Sequence, residues 1–136
     1  MGRIITVLLS AALLFTLVAC SDSNTSSTQT QEPAFIKDEP VPPGAEDARV
    51  VELIFTPQDI EPDHVTVQSG EKILFVITNI DEEGEHNFLS AGAAIPEIMV
   101  YGGQTVRRLW TAPETPGVYD AMCTIHPWIK MKFTVE

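Results

Sequence analysis

The sequence predicts an all-β sandwich, and three observations support this prediction. Residues 49–136 consist of short runs rich in β-branched and aromatic residues, which is the composition of β-strands. Gly and Pro interrupt these runs at intervals of about eight to twelve residues, as turns do between the strands of a sandwich. No helical period is visible after the N-terminal apolar run. These features favour a single all-β domain over residues 49–136.

Seven strands are predicted from these runs. The run at 72–79 is the most informative, because Ile73 to Ile77 is continuously apolar, as expected of a central strand buried on both faces. Gly70 and the pair Gly102-Gly103 supply turns at the ends of two runs. The predicted strands span residues 49–55, 64–68, 72–79, 86–90, 104–111, 117–122 and 129–136.

The N-terminal region has the features of an export signal. Arg3 precedes an uncharged apolar run over residues 4–17, which is shorter than the roughly 20 residues of a transmembrane helix. The run ends in Leu17-Val18-Ala19-Cys20, which resembles the bacterial lipobox. Residues 1–19 are therefore predicted to be a lipoprotein signal peptide, and Cys20 the lipidated N terminus. The alternative is a chance thiol beside an ordinary cleavage site.

Residues 20–48 differ in composition from both neighbouring segments. They are rich in Ser, Thr, Gln, Glu and Pro and have few large apolar side chains, so they cannot offset the entropy cost of ordering. We expect a disordered tether that holds the domain near the envelope membrane, facing the periplasm or the cell exterior. The chain has 19 acidic residues against 8 Lys and Arg and a net charge of −11, which excludes nucleic acid as a partner.

The candidate site follows from the cysteines. If Cys20 carries lipid, Cys123 has no disulfide partner, although disulfides persist in the exported compartment. His126 follows Cys123 by three residues, and His86 opens an earlier predicted strand. One thiolate and two imidazoles from two loops at one end of a sandwich form the trigonal set that suits a blue copper centre, in which Met is a common weak axial ligand.

On these residues, the domain resembles the cupredoxins, small blue copper proteins of the plastocyanin and amicyanin type. The resemblance implies a Greek-key sandwich of about seven to eight strands with one copper ion at one pole, cycling between Cu(II) and Cu(I). It also suggests that Asn87 links the two ligand loops by hydrogen bonds. The matching elements are Asn79 to His86-Asn87-Phe88, then Pro116-Gly117-x-Tyr119, then Cys123-x-x-His126-Pro127-Trp128.

The fourth ligand is the point at which the sequence departs from the family pattern. In the plastocyanin-like spacing the axial Met stands five residues after the second His, which here is Met131. In the amicyanin-like spacing it stands three residues after, which here is Ile129. Met131 is the predicted axial ligand, and the alternative is that it is only packed inward on its strand.

The function predicted from this resemblance is single-electron transfer between redox protein partners outside the cytoplasmic membrane, by a tethered monomer. The alternative is copper or iron binding or uptake without a dedicated electron-transfer role. Enzyme activity is not expected, because a Cys and a His three residues apart on one loop suit chelation better than thiol catalysis. The acids Asp81, Glu82, Glu83 and Glu85 form either a solvated turn or a cluster that steers a basic partner.

Overall fold

A computed structural model describes residues 35–136, which form nine β-strands and no helix. The predictions for the signal peptide at residues 1–19 and for lipidation of Cys20 lie outside the described residues. No helix in the described part of the chain is long and apolar enough to cross a membrane. The strands are β1 (Arg49–Phe55), β2 (Ile60–Glu61), β3 (His64–Val67), β4 (Lys72–Asn79), β5 (His86–Ser90), β6 (Ile95–Val100), β7 (Thr105–Thr111), β8 (Gly117–Met122) and β9 (Lys130–Val135).

The strands form two sheets, in the orders β2-β1-β4-β7 and β3-β9-β8-β5-β6. The pairs β1–β4 and β3–β9 are parallel, so the chain crosses between the sheets before it returns to pair. These crossed connections are those of a Greek-key sandwich, and the predicted all-β fold is confirmed. The antiparallel pair β8–β9 presents the Cys123–His126 loop at one end of the sandwich.

The core lies between the two sheets. Strand β4 is central, and Ile73, Phe75 and Ile77 on its inner face are fully buried, as the continuous apolar run predicted. Phe75 stacks on Trp110 with ring centroids 5.3 Å apart and lies 5.8 Å from Phe133 of the opposite sheet. Burial of large aromatic side chains stabilises the sandwich by about 25 cal/mol per Å² of apolar surface removed from water.

Two of the nine strands were not predicted. Strand β2 has only two residues, which is too short to give an alternating pattern. Strand β6 contains Pro96, which counts against a strand assignment because Pro donates no hydrogen bond to a neighbouring strand. In the structure β6 is the edge of the five-stranded sheet, where a Pro is tolerated.

The ordered domain begins before the predicted boundary at residue 49. Asp38 forms a bridge with Thr105, and the Glu39 amide donates to the Thr105 carbonyl at 3.0 Å. Glu39 also pairs with Arg108, whose hydrogen bonds hold the pKa of the Glu39 carboxyl below its usual value. The prediction of a disordered tether is therefore corrected for residues 38–48, whereas its part at residues 20–34 lies outside the described residues. Backbone hydrogen bonds to Thr105 and ion pairs with β7 attach this segment to the sheet.

Candidate metal centre

Three predicted ligands meet at one end of the sandwich. The ligand atoms of His86, Cys123 and His126 all lie within 4.8 Å of one another. His86 is the first residue of β5, Cys123 follows β8, and His126 lies in the loop between β8 and β9. The Cys123 Sγ is 3.8 Å from His86 Nδ1 and 3.7 Å from His126 Nδ1. One thiol and two imidazole nitrogens facing a common point form a donor set that fits copper.

The loop after β8 fixes the position of the thiol. The Cys123 amide donates to the Ile129 carbonyl at 3.1 Å, and the Ile129 amide donates to the His126 carbonyl at 2.9 Å. Two further amides, those of Asn87 and His126, point at the Cys123 Sγ at 3.5 and 3.4 Å. These contacts hold the Cys123 sulfur beside the two imidazoles, and the thiolate is the form of Cys that binds a metal.

His86 is held rigidly in the interior. Its exposed fraction is 0%, and its ring stacks on Phe55 with centroids 4.7 Å apart and an interplanar angle of 8°. Burial lowers the pKa of His86, and the neighbouring His126 lowers it further, whereas Asp81 acts in the opposite direction. The neutral imidazole is the form that binds a metal ion, so the burial of His86 prepares it as a ligand.

His126 lies in a different environment, at the surface of the same site. It is only partly buried, and its ring meets that of Trp128 edge to face, with centroids 5.1 Å apart. Trp128 is 60% exposed, and Ile125 on the same loop is also exposed. The His126 side of the site is therefore bordered by apolar side chains that are open to solvent.

Asn87 links the two segments that carry the ligands. Its Oδ1 accepts from the Thr124 amide at 2.7 Å, and its Nδ2 donates to Thr124 Oγ1 at 2.7 Å. The same Nδ2 donates to the Glu97 carboxylate at 2.6 Å. These contacts join His86 on β5 to the Cys123 loop through adjacent residues, in the arrangement that the resemblance suggested for Asn87.

The two candidates for the axial position lie on one face of the β9 segment. Ile129 is opposite Cys123 through the backbone hydrogen bond described above, whereas Met131 is opposite Ala121. Both side chains are buried, and they line one small cavity together with Cys123. A diagonal neighbour on an adjacent strand lies about 7–8 Å away, within reach of a long side chain. Ligation by Met131 therefore stays a prediction, and Ile129 lies directly across from the thiol.

Three residues that contact His86 or Asn87 were not predicted from the sequence to lie at the site. Phe55 stacks on His86, Glu97 holds Asn87, and Asp81 faces His86 across 4.0 Å. Phe55 and Glu97 come from other segments of the chain, and Asp81 comes from a loop whose acids were predicted to form either a solvated turn or a cluster that steers a basic partner. No sequence pattern places Phe55 beside His86, because the parallel pairing of β1 with β4 that brings Phe55 opposite Asn79 is visible only in the structure.

The comparison with protein families agrees with the fold and with this set of side chains. A family model described as the cupredoxin-like domain matches residues 9–135. The chain therefore belongs to the cupredoxin family of small blue copper proteins. Members of this family bind one copper ion. A comparison with curated proteins gave no match.

Solved structures support the fold at low sequence identity. Auracyanin A, a "blue" copper protein from Chloroflexus aurantiacus, matches with a TM-score of 0.56 at 18% identity, over 65% of this chain and 99% of that one. Auracyanin from Roseiflexus castenholzii matches with a TM-score of 0.56 at 19% identity, over 65% and 98%. A chain from a heme-copper terminal oxidase dimer matches with a TM-score of 0.54 at 18% identity, over 82% and 83%.

Proposed function

We propose that this protein binds one copper ion through His86, Cys123 and His126 and carries single electrons between redox proteins outside the cytoplasmic membrane. The observation that carries the proposal is the meeting of these three ligand atoms within 4.8 Å in a cupredoxin domain. Bound copper would supply a one-electron couple between Cu(II) and Cu(I). Relatives of this class are electron carriers rather than enzymes, and we place this chain with them.

In this proposal some side chains hold the copper ligands in place, and others form the surface for electron transfer. His86, buried against Phe55, and Cys123, held by backbone amides, keep the donor set in one geometry. A rigid site lowers the energy needed to reorganise the ligands when the charge of the metal changes. His126 and Trp128 border the solvent and would form the surface through which the electron passes.

The partner and the membrane anchor are part of the proposal. The exposed acids Glu82, Glu83 and Glu85 precede His86 in the chain and would attract a basic redox partner, an effect that weakens as salt rises. One structural neighbour is a chain of a heme-copper terminal oxidase dimer, which supports a redox enzyme as the type of partner. Cys20 would carry the lipid that keeps the domain at the membrane.

The absorption spectrum of the purified full chain with Cu(II) tests the copper site. We expect an intense blue colour with one equivalent of Cu(II), because the Cys123 thiolate would bind the metal directly. Cys123→Ser should remove the colour while the sandwich stays folded. The matched control is His64→Gln, which replaces an exposed His that contacts Thr134 and is not part of the three-residue cluster. A colourless wild type, or loss of colour in both variants, would contradict the site.

A second measurement separates electron transfer from metal handling. An electron carrier should retain its copper against a chelator for hours and show a reversible reduction potential. A copper-delivery or uptake protein should exchange its metal within seconds. The complete burial of His86 and Cys123 favours slow exchange, which supports the electron-carrier proposal.

The mass of the membrane-extracted protein tests the anchor. We expect an N-terminal Cys20 modified by a diacylglyceryl group or by three acyl chains, since two or more chains anchor a protein stably whereas one does not. Cys20→Ser should release the protein from the membrane without changing the copper spectrum. An unmodified full-length chain in the soluble fraction would disprove lipidation.

A further inference from the structure

One polar atom beside the metal centre has no partner. Among the described side chains, His86 Nε2 is the buried nitrogen or oxygen without a hydrogen bond. His86 Nδ1 faces the Cys123 thiol, so Nε2 is the nitrogen that carries the proton when Nδ1 binds a metal. An unpaired buried N–H costs about 1–3 kcal/mol, so a nearby acceptor has a clear energetic advantage.

The nearest charged group is the carboxylate of Asp81. Its Oδ2 lies 4.0 Å from His86 Nε2, and its side chain is mostly shielded from solvent. The other oxygen, Oδ1, accepts from the amides of Glu83 at 3.3 Å and Gly84 at 3.2 Å. These amides hold Oδ1, so Oδ2 is the oxygen that remains to face the histidine, and a small rotation of the side chain moves it closer.

The loop is built to make room for this carboxylate. A Cβ atom on Gly84 would overlap Asp81 Oδ2, so only Gly at this position leaves the carboxylate in place. The buried Asn79 fixes the rest of the turn, since its Oδ1 accepts from the Asp81 amide at 2.9 Å and its Nδ2 donates to the Gly84 carbonyl at 3.0 Å. Asn79 and Gly84 thus hold Asp81 beside the histidine.

We propose that Asp81 is a positioning residue that accepts a hydrogen bond from His86 Nε2–H and lowers the reduction potential of the copper centre. The inference rests on the proposed copper function. The separation of 4.0 Å closes to a hydrogen bond when the site is loaded, as hydrogen bonds at functional sites tighten on binding. A carboxylate behind a ligating imidazole fixes its orientation and increases its basicity.

The direction of the effect on the potential follows from charge. Cu(II) has one more positive charge than Cu(I), so a nearby carboxylate stabilises the oxidised form more strongly. Loss of such a group typically weakens metal binding by about 10- to 100-fold. If Asp81→Asn weakens Cu(II) binding tenfold more than Cu(I) binding, the potential rises by about 59 mV.

Asp81→Asn in the full chain tests the proposal. The amide oxygen of Asn can still accept from the Glu83 and Gly84 amides, so the turn is retained while the acceptor facing His86 is lost. Glu83→Gln is the matched control, because it removes the same charge from the same loop and its carboxylate makes no contact with His86. We measure the reduction potential and the Cu(II) and Cu(I) affinities of all three proteins.

Gly84→Ala is a second variant, which disturbs the same contact by displacing the carboxylate instead of removing its charge. Its methyl group should displace the carboxylate and raise the potential in the same direction as Asp81→Asn, while the charge of the protein is unchanged. In the reduced wild type, proton NMR should also show a slowly exchanging His86 Nε2–H that Asp81→Asn removes.

The outcomes distinguish this inference from the copper proposal. A rise in potential in Asp81→Asn and Gly84→Ala, with little change in Glu83→Gln, supports the hydrogen bond. A blue wild type whose potential equals that of Asp81→Asn, or equal shifts in Asp81→Asn and Glu83→Gln, overturns the inference alone. A wild type that binds no copper overturns both proposals.

Discussion

The two histidines of the site have the same chemistry and opposite surroundings. His86 lies at the start of a strand, is fully buried, and stacks on Phe55. His126 lies in a loop, is partly open to solvent, and meets the exposed Trp128 edge to face. The difference teaches that ligand geometry and access are supplied by separate parts of the fold. The sheets hold one imidazole, and the loop presents the other.

Removal of either imidazole should have the largest effect on the copper site, and the two variants should differ in whether added imidazole restores it. His86→Gly leaves a hole in the interior, so we expect loss of the blue site and a decrease of about 2 kcal/mol in the free energy of unfolding of the metal-free chain. His126→Gly leaves a gap that opens to solvent, so added imidazole should enter and restore the colour. The measurements are absorption titration with imidazole and urea unfolding.

The two histidine variants serve as controls for each other. Recovery of colour in His126→Gly but not in His86→Gly supports the assignment of a buried and an accessible ligand. Equal recovery in both variants would mean that His86 is as accessible as His126, which would contradict the burial of its ring against Phe55.

Phe55→Ala should have the next largest effect on the copper site, because it removes the ring that supports His86. Phe55 is fully buried, and truncation of such a side chain costs about 3–5 kcal/mol. The copper site should remain but bind more loosely, since His86 gains freedom to rotate. Thermal unfolding with and without copper measures both effects. A stability loss without any change in copper affinity would show that Phe55 does not position His86.

The strands that hold His86 in the interior, and the grouping of the three ligands, could largely be predicted from the sequence. The bounds of β1, β4, β5 and β8 were predicted correctly, because turn residues bound each of these short runs. The grouping of His86, Cys123 and His126 was also predicted. With Cys20 assigned to lipidation, Cys123 has no disulfide partner, and His126 lies three residues after it.

The rest depends on contacts that sequence patterns do not report. Strand β6 is concealed by Pro96, which only an edge position permits. Residues 37–39 are attached to the sheet by Thr105, Arg107 and Arg108, which are far away in sequence. The sequence predicts Asp81 to belong to a solvated turn or to a cluster that steers a partner, and its position beside His86 is visible only in the structure.

Trp128→Ala tests the solvent-exposed side of the site around His126, where we expect a smaller effect on stability and on electron exchange. The side chain is 60% exposed, so its loss should change the free energy of unfolding by no more than about 0.5 kcal/mol. If it forms the contact surface for electron exchange, loss of about 1 kcal/mol of encounter energy lowers the self-exchange rate about fivefold. NMR line broadening in mixtures of oxidised and reduced protein gives this rate. An unchanged rate would place electron entry elsewhere.

The axial position should give the smallest effect and the finest test of which side chain lies over the copper. If Met131 ligates, Met131→Leu keeps the blue site, because His86, Cys123 and His126 remain, and the potential shifts as the axial ligand is lost. If Met131 is only packed inward opposite Ala121, the same substitution nearly conserves volume and the potential barely changes. Ile129→Met then becomes the change that shifts the potential, since Ile129 lies directly across from Cys123. We expect the shift in Met131→Leu, because its long thioether can reach diagonally across the strand pair. An unchanged potential in Met131→Leu together with a large shift in Ile129→Met would assign the position above the copper to residue 129.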